Sequence, residues 1–411
     1  MSKPILGEIK IETSQRANFK YLKNKDYDMT YDFVVLGATG LQGNIATKDL
    51  LKNNYSVLLC GRDKSKVLHL LKEFKKTAFK HLDVRDEKLL LKTLKDSGAK
   101  TAINCVEGDW NLQILKACTK NNMNCIDLGS DISITKKQLS MDKMLKRKDL
   151  ISITSSGSVP GIGNVMLKHA AEKFDSINTI EAGFAWDSNI KTFVVPFSIS
   201  SIIREFIELA PIIENGRIKC KLPLENIRVS NHKTIGKQKE FPVTHPELYT
   251  FHHYFKNKGL KNIRFYAGFP EHSFNTILVL INTGMGSKKA IDYMGQKIKP
   301  AEFLTEALKK IKKPKGYKEK ENLWVDIRGK KNGKNKKILM ECIVHTLKGW
   351  EDAGCNIDTG MPASIMAQMI KNGTITARGS TAPEISVPPK PFFKELRKRH
   401  MAVFENGKKI N

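Results

Sequence analysis

The stretch Phe33-Val-Val-Leu-Gly37-Ala-Thr-Gly40-Leu-Gln-Gly43 decides how the chain folds. Four apolar residues run into a glycine-rich turn, and apolar residues then recur at helical spacing from Leu41 to Leu51. A short apolar strand, a turn and a helix open a parallel sheet with crossover helices. Glycines let the backbone close on a pyrophosphate, and the following helix turns its positive end toward it. The spacing is GxxGxxG rather than GxGxxG, so the strand–turn–helix setting carries the reading more than the pattern does. Gly37, Thr39, Gly40, Leu41, Gln42 and Gly43 are the expected phosphate-binding residues of a dinucleotide site.

The same alternation continues outward. Apolar runs at Val57–Cys60, Phe79–Val84, Ala102–Val106, Cys125–Leu128 and Ile151–Thr154 predict further strands. Helical spacing at Lys64–Phe74, Glu87–Leu94, Leu112–Thr119 and Thr135–Leu145 predicts the crossovers. Together they predict an α/β, Rossmann-type doubly wound parallel sheet over residues 31–157, preceded by a polar arm over 1–30. Residues 158–348 have longer alternating runs, at Thr179–Trp186, Ile263–Phe269, Thr276–Ile281, Leu323–Ile327 and Ile338–His345. Helical patterns at Ser200–Leu209 and Ala301–Ile311 lie among them, predicting a second, mixed α/β substrate and oligomerisation domain. Gly329–Lys337 reads as a long hairpin loop. Residues 349–411 hold Thr359-Gly-Met-Pro362, a helix from Ala363 to Ile370, and a short basic helix at Phe392–Arg399. This C-terminal segment is expected to pack on the first domain.

Cofactor choice is usually made at the end of the second strand. There the chain reads Cys60-Gly-Arg62-Asp63, with no carboxylate in place to bind ribose hydroxyls before Arg62. Arg62 can fork onto a 2′-phosphate, which favours NADP(H) and makes NAD(H) the lesser choice. The alternative is a solvated Arg62 with Asp63 on a ribose. Asp83 and Val84, at the third strand's end, are expected near the adenine, with Asp86 capping the next helix. Asn104, Cys105, Val106 and Asp127 end the fourth and fifth strands, where ribose and nicotinamide belong.

Composition bounds the rest. The chain has 411 residues, 70 Lys+Arg against 42 Asp+Glu and a net charge of +28. Lysine (58) outnumbers arginine (12) and is spread end to end, with only 8% aromatic residues, unlike the Arg forks and stacking rings of nucleic-acid surfaces. Nucleic acid is therefore not the expected partner. No apolar run reaches the ~18 residues of a membrane span. Seven scattered cysteines without CxxC or zinc spacing predict reduced thiols, no metal and a cytoplasmic setting.

Several segments jointly resemble the saccharopine dehydrogenase / saccharopine reductase family, which also includes lysine 6-dehydrogenase-like enzymes. They are Val35-Leu-Gly-Ala-Thr-Gly40, Leu82-Asp-Val-Arg-Asp86, Ala102-Ile-Asn-Cys-Val106, Asn111-Leu-Gln-Ile-Leu-Lys-Ala-Cys118, Cys125-Ile-Asp-Leu-Gly129 and Pro160-Gly-Ile-Gly-Asn164. Glu214-Asn-Gly216, Tyr249-Thr-Phe-His252, Thr359-Gly-Met-Pro-Ala-Ser-Ile365 and Pro388-Pro-Lys-Pro-Phe-Phe393 continue the resemblance over roughly residues 31–400. It implies hydride transfer at a C–N bond of an amino-acid substrate such as saccharopine or a lysine-derived adduct, in a homo-oligomer, expected to be a dimer. The alternatives are NAD-linked oxidative deamination of the lysine 6-dehydrogenase kind, or an NADP-binding sensor without catalysis.

Within this frame His252 and Asp131 are the catalytic candidates, the first as a proton exchanger near neutral pH. A hydrogen-bonded structural histidine and a helix-capping aspartate are the competing readings. Arg204 and Arg264 are candidate clamps for a substrate carboxylate, and Tyr249 a further substrate contact. Where relatives carry an apolar or proline-containing pair after the fourth strand, this chain has Glu107-Gly-Asp-Trp110. Two carboxylates there would favour a diamine or basic amino acid over a tricarboxylic substrate.

Overall fold

A computed structural model of the chain describes residues 30–129, 131–194 and 198–411, so the polar arm read over 1–30 lies almost wholly outside the described residues. Strand β1 (Phe33–Leu36) and helix α1 (Leu41–Lys52) flank the glycine turn. Then come β2 (Val57–Gly61), β3 (Thr77–His81), β4 (Thr101–Asn104), β5 (Asn124–Asp127) and β6 (Ile151–Ile153). Every pairing among them is parallel, in the order β3-β2-β1-β4-β5-β6, and Gly379–Thr381 adds a seventh parallel strand beside β6. The order reverses between β1 and β4, a switch point whose crevice lies at the strands' carboxyl ends.

Burial explains why these residues pair in this way. Phe33 and Val35 pack into one core and Val34 and Leu36 into another on the opposite face, and all four are fully buried. Side chains alternate across a strand, so apolar residues at every position demand cover on both faces. Each such side chain contributes roughly 1.5–3 kcal/mol on burial.

The second sheet is mixed. Its axis is β7 (Ser176–Ser188), parallel to Asn262–Phe269 and antiparallel to Glu319–Lys331, which pairs in turn with Lys334–His345. The expected hairpin loop is only the two residues Asn332-Gly333, both at positive φ (50° and 75°), because the ladder extends to Lys331 opposite Lys334. Thr276–Ile281 is not a strand: Thr276–Leu280 belongs to the helix Glu271–Leu280, whose buried Phe274 and Ile277 stand three residues apart. The third strand ends three residues earlier than expected, since Asp83 turns back to bind the Arg85 amide. Thr135–Leu145 is two helices, Ile132–Ser140 and Asp142–Arg147, meeting at Met141.

Two further helices position the cleft: α2 (Glu247–Phe255) and α3 (Ile357–Lys371). Helix α3 begins six residues before the expected start and carries Pro362 inside it, which removes the amide that would bond the Asp358 carbonyl. It packs along α1, where the buried Asp49 carboxylate accepts from Ser364 Oγ (2.6 Å), Gln368 Nε2 (3.2 Å) and Arg399 Nε and Nη2 (2.7 and 2.8 Å). The C-terminal segment also reaches the second sheet, as Ala402–Glu405 pairs with Lys334–His345. Truncating one partner of a buried ion pair typically costs ~3–5 kcal/mol. Arg399→Ala is therefore expected to lower unfolding free energy by about that much in a urea titration, as the Asp49 charge loses its strongest donor.

Candidate active site

The phosphate turn is built for close approach. Gly37 sits at φ +75°, and a Cβ there would lie 2.9 Å from the Cys105 carbonyl at the end of β4. A Cβ at Gly43 would lie 2.2 Å from the Gly37 carbonyl oxygen, so this glycine lets α1 begin against the turn. Gly61 faces Thr39, whose side chain a Cβ would meet at 2.6 Å. Gly40 is different: its Cβ would meet only the Gly37 carbonyl oxygen, at 3.4 Å. The space above Gly40 is open, at the amino end of α1, where no acidic side chain opposes an anion. Gln42 donates to Asn356 Oδ1 (3.2 Å), its own Oε1 is buried without a partner among the described residues, and Leu41 is exposed. Open backbone and a helix amino end fit a dinucleotide pyrophosphate. When bound, that cofactor supplies a hydride acceptor or donor.

At the adenine end Arg62 is exposed and forms no ion pair among the described residues. Asp63 is occupied, accepting from the Ser65 amide (3.0 Å) and hydroxyl (2.5 Å). Asp83 does not offer its carboxylate outward as expected: Arg85 binds both oxygens, and its guanidinium holds the carboxyl well below the usual range. Val84 is buried, its carbonyl accepting from Gln113 (2.9 Å). Asp86 caps its helix through the Leu89 amide (2.9 Å).

At the nicotinamide end the polar residues hold the scaffold. Asn104 is buried, donates to Asn111 Oδ1 (2.7 Å) and accepts from the Val106 amide (3.0 Å). Asp127 accepts from the Gly129 and Ser155 amides (2.8 and 3.1 Å), Thr154 Oγ1 (3.1 Å) and Gln138 Nε2 (2.7 Å). Three of these donors meet Oδ1 and one meets Oδ2, so Asp127 ties the ends of β5 and β6 together; burial still raises its pKa. Cys105 and Val106 are half-buried, and burial pushes the Cys105 thiol up to about 12.

On the other wall, α2 brings Tyr249 beside the helix that follows β5, with Lys136 Nζ 4.9 Å from its ring centre. His252, half-buried and three residues on, shares that side of the helix. Asp131 takes the capping role, its carboxylate accepting from the Ile134 amide (2.8 Å). The two candidate clamp arginines stand in different settings. Arg264 is tied to Glu181 (3.3 Å) and Glu214 (2.8 Å) across the second sheet, and Arg204 is exposed on the helix Ile199–Ile207. Glu107 and Asp109 are exposed at the end of β4, without an ion pair among the described residues.

The groups not anticipated from the sequence are buried carboxyls. Glu384 accepts from Asn164 Nδ2 (2.8 Å), while Asn164 Oδ1 accepts from the Gly161 amide (2.8 Å). Thr250, Tyr254 and Glu247 face it from α2, and burial pushes its carboxyl up to about 7. Glu321, on the long strand Glu319–Lys331, shares a hydrogen bond with Asp358 on α3. Burial and the neighbouring negative charges raise both pKa values, that of Asp358 to about 7. The signal was present in the strand: Glu319 and Glu321 continue the inward alternation of Leu323, Val325 and Ile327.

A glycine-turn sheet with its switch point open to a second domain defines a dinucleotide-dependent oxidoreductase. Residues 33–153 match the saccharopine dehydrogenase NADP binding domain and residues 157–401 the saccharopine dehydrogenase C-terminal domain. The chain belongs to the saccharopine dehydrogenase family and is an NAD(P)-dependent oxidoreductase acting on C–N groups. It is 26% identical over 381 residues to carboxyaminopropylagmatine dehydrogenase of Synechocystis sp., spanning 88% of this chain and 94% of that one. Its fold matches apo saccharopine dehydrogenase (L-Glu forming) from Saccharomyces cerevisiae with a TM-score of 0.72 at 13% identity, over 93% of this chain and 100% of that one. No helix among the described residues is long and apolar enough to cross a membrane.

The open space at Gly40 gives a test. Gly40→Val is expected to keep the far-ultraviolet circular dichroism and melting temperature while weakening NADPH binding at least ~10-fold in a fluorescence titration, a loss of about 1.4 kcal/mol. Glu384 gives another. Its carboxyl titrates near 4.5 when unfolded and about 7 when folded, so unfolding releases a proton between those values. Its stabilising contribution is complete below pH 4.5 and is lost as pH rises through about 7. Glu384→Gln is expected to flatten the fall in melting temperature over that window.

Proposed function

We propose that the chain is an NADP-dependent oxidoreductase whose substrate is a secondary amine joining an amino-acid unit to a cationic arm. Arg62 carries the cofactor half of this reading. Standing after β2, it forms no ion pair with any described residue, while Asp63, the group that would prefer a ribose hydroxyl, is held in its own turn. A 2′-phosphate placed there gains a charge-assisted bond of ~1.5–3 kcal/mol. Arg62→Ala is expected to raise the NADPH dissociation constant ~10–100-fold and leave NADH unchanged; an equal loss for both would defeat the assignment.

Glu107 and Asp109 support the substrate half. Two exposed carboxylates at the end of β4 repel a tricarboxylic ligand and attract an ammonium or guanidinium. The Synechocystis relative, by its name, acts on an agmatine derivative, which carries a guanidinium. Saccharopine, carboxyaminopropylagmatine and lysine, each with NADP and NAD, form the decisive panel. The expected order of kcat/KM places the guanidinium or diamine adduct above saccharopine, and the double variant Glu107→Gln/Asp109→Asn narrows that gap.

We further propose a homodimer through the second domain, in a reducing cytoplasmic setting. Exposed apolar side chains concentrate there, among them Ile218, Val229, Val279, Met294 and Phe303. All seven cysteines are free, in keeping with such a compartment. Sedimentation at micromolar concentration should give twice the 46.4 kDa chain mass.

A further inference from the structure

A chain of oxygen atoms leads from the carboxyl end of β6 into the protein. Ser158 is half-buried in the loop after β6, outside the strand end where ligands of such sheets bind. Its Oγ lies 3.3 Å from Thr359 Oγ1, which lies 3.1 Å from Asp358 Oδ1. The other oxygen of Asp358 is buried without a donor from any described residue. Glu321 stands within hydrogen-bond reach of Asp358, and two carboxyl groups can make the hydrogen bond between them only if one holds a proton. Asn356, two residues before Asp358, is bonded to Gln42 of the phosphate turn, so the acid pair stands beside the cofactor cradle.

The surroundings keep one proton on this pair. Glu319 faces it along the same strand but is already matched by Lys313 Nζ (2.8 Å) and the Cys355 amide (2.6 Å). The Cys342 and Cys355 thiols and the Tyr317 hydroxyl complete the lining, each held neutral by burial and nearby carboxylates. Lys313 is the one cation among these groups.

We propose that Glu321 and Asp358 form the proton store for the C–N redox step, loaded and emptied through Thr359 and Ser158. The inference rests on the C–N oxidoreductase reading. In the oxidative direction the substrate carbon gives up a hydride to the nicotinamide and the nitrogen loses its N–H proton, leaving a C=N bond. That proton passes to Ser158 Oγ as Ser158 passes its own to Thr359 and Thr359 passes its own to Asp358. The pair then holds two protons and no net charge. Reduction of the imine runs the same transfers backwards. These residues act as positioning and relay groups, since only Ser158 is placed to meet the substrate.

Four variants and one spectrum test this. With the best secondary-amine substrate, Asp358→Asn is expected to lower kcat ~10²-fold and abolish the limb of the pH–kcat profile that requires an empty store, with the NADPH dissociation constant unchanged. Thr359→Val should do the same more weakly, and Thr359→Ser should restore both rate and limb. The infrared spectrum of the cofactor-free wild type at pH 7 should contain a protonated-carboxyl band that is lost in Asp358→Asn, distinct from the Glu384 component that both proteins keep. An unaltered limb in Asp358→Asn and Thr359→Val, or a limb removed instead by His252→Gln, overturns the relay. If Asp358→Asn fails to fold, the Thr359 pair and the wild-type spectrum decide. No turnover by the wild type with the infrared band present defeats the oxidoreductase reading and the relay with it, whereas turnover without the band defeats the relay alone.

Discussion

The carboxylate of Asp49 holds the active-site architecture together. It lies near the end of α1 opposite the phosphate turn, yet its hydrogen bonds come from α3 and from Arg399, more than 300 residues away in sequence. Burying a charge is costly unless it is fully paired, so this site admits one arrangement of α1, α3 and the C-terminal helix. Once α3 is fixed along α1 at that end, its opposite end has no freedom. Asn356 must meet Gln42, and Asp358 must lie between the phosphate turn and Glu321. A structural ion pair at the back of the domain thus sets the register of polar groups at its front.

How much of this was legible depends on the range over which each interaction acts. β1 could be read to the residue because burial on both faces leaves a continuous apolar run. The glycine turn was legible because its constraint is local: Gly37 needs positive φ and no Cβ. Arg264 could not be judged from sequence, because its partners Glu181 and Glu214 come from other strands and only the folded sheet shows that its charge is already used. Asp127 was legible as a strand-end residue but not as one already engaged by four donors. Its four donors come from the end of its own strand, the next helix and the β6 loop. The pairing of Glu321 with Asp358 joins a strand to a helix, and nothing in either segment names the other. What the strand did offer was two glutamates in the inward register.

Charge is distributed in opposite senses at the surface and in the interior. The +28 surplus is carried mostly by exposed lysines, whose ion pairs in water are worth little individually. Around the cleft the buried ionisable groups are largely acidic: Asp127, Glu247, Glu319, Asp358 and Glu384. Their burial raises proton affinity where it is not offset by donors, and so makes the interior rather than the basic exterior the seat of acid–base chemistry near neutral pH. The surface charge bears on long-range attraction of anionic ligands, whereas the interior carboxyls govern what happens once a ligand arrives.

The C-terminal segment supplies one strand to the first sheet, Gly379–Thr381 beside β6, and two to the second, Ala402–Glu405 beside Lys334–His345 with Lys408–Lys409 beyond it. During synthesis neither sheet can be finished until those residues have left the ribosome. The edge of β6 is open for the time needed to make more than 200 further residues, and an open parallel edge is a template for wrong pairing. Completion of the nucleotide-binding sheet therefore waits on a segment made long after its other six strands, and the same late segment finishes the second sheet.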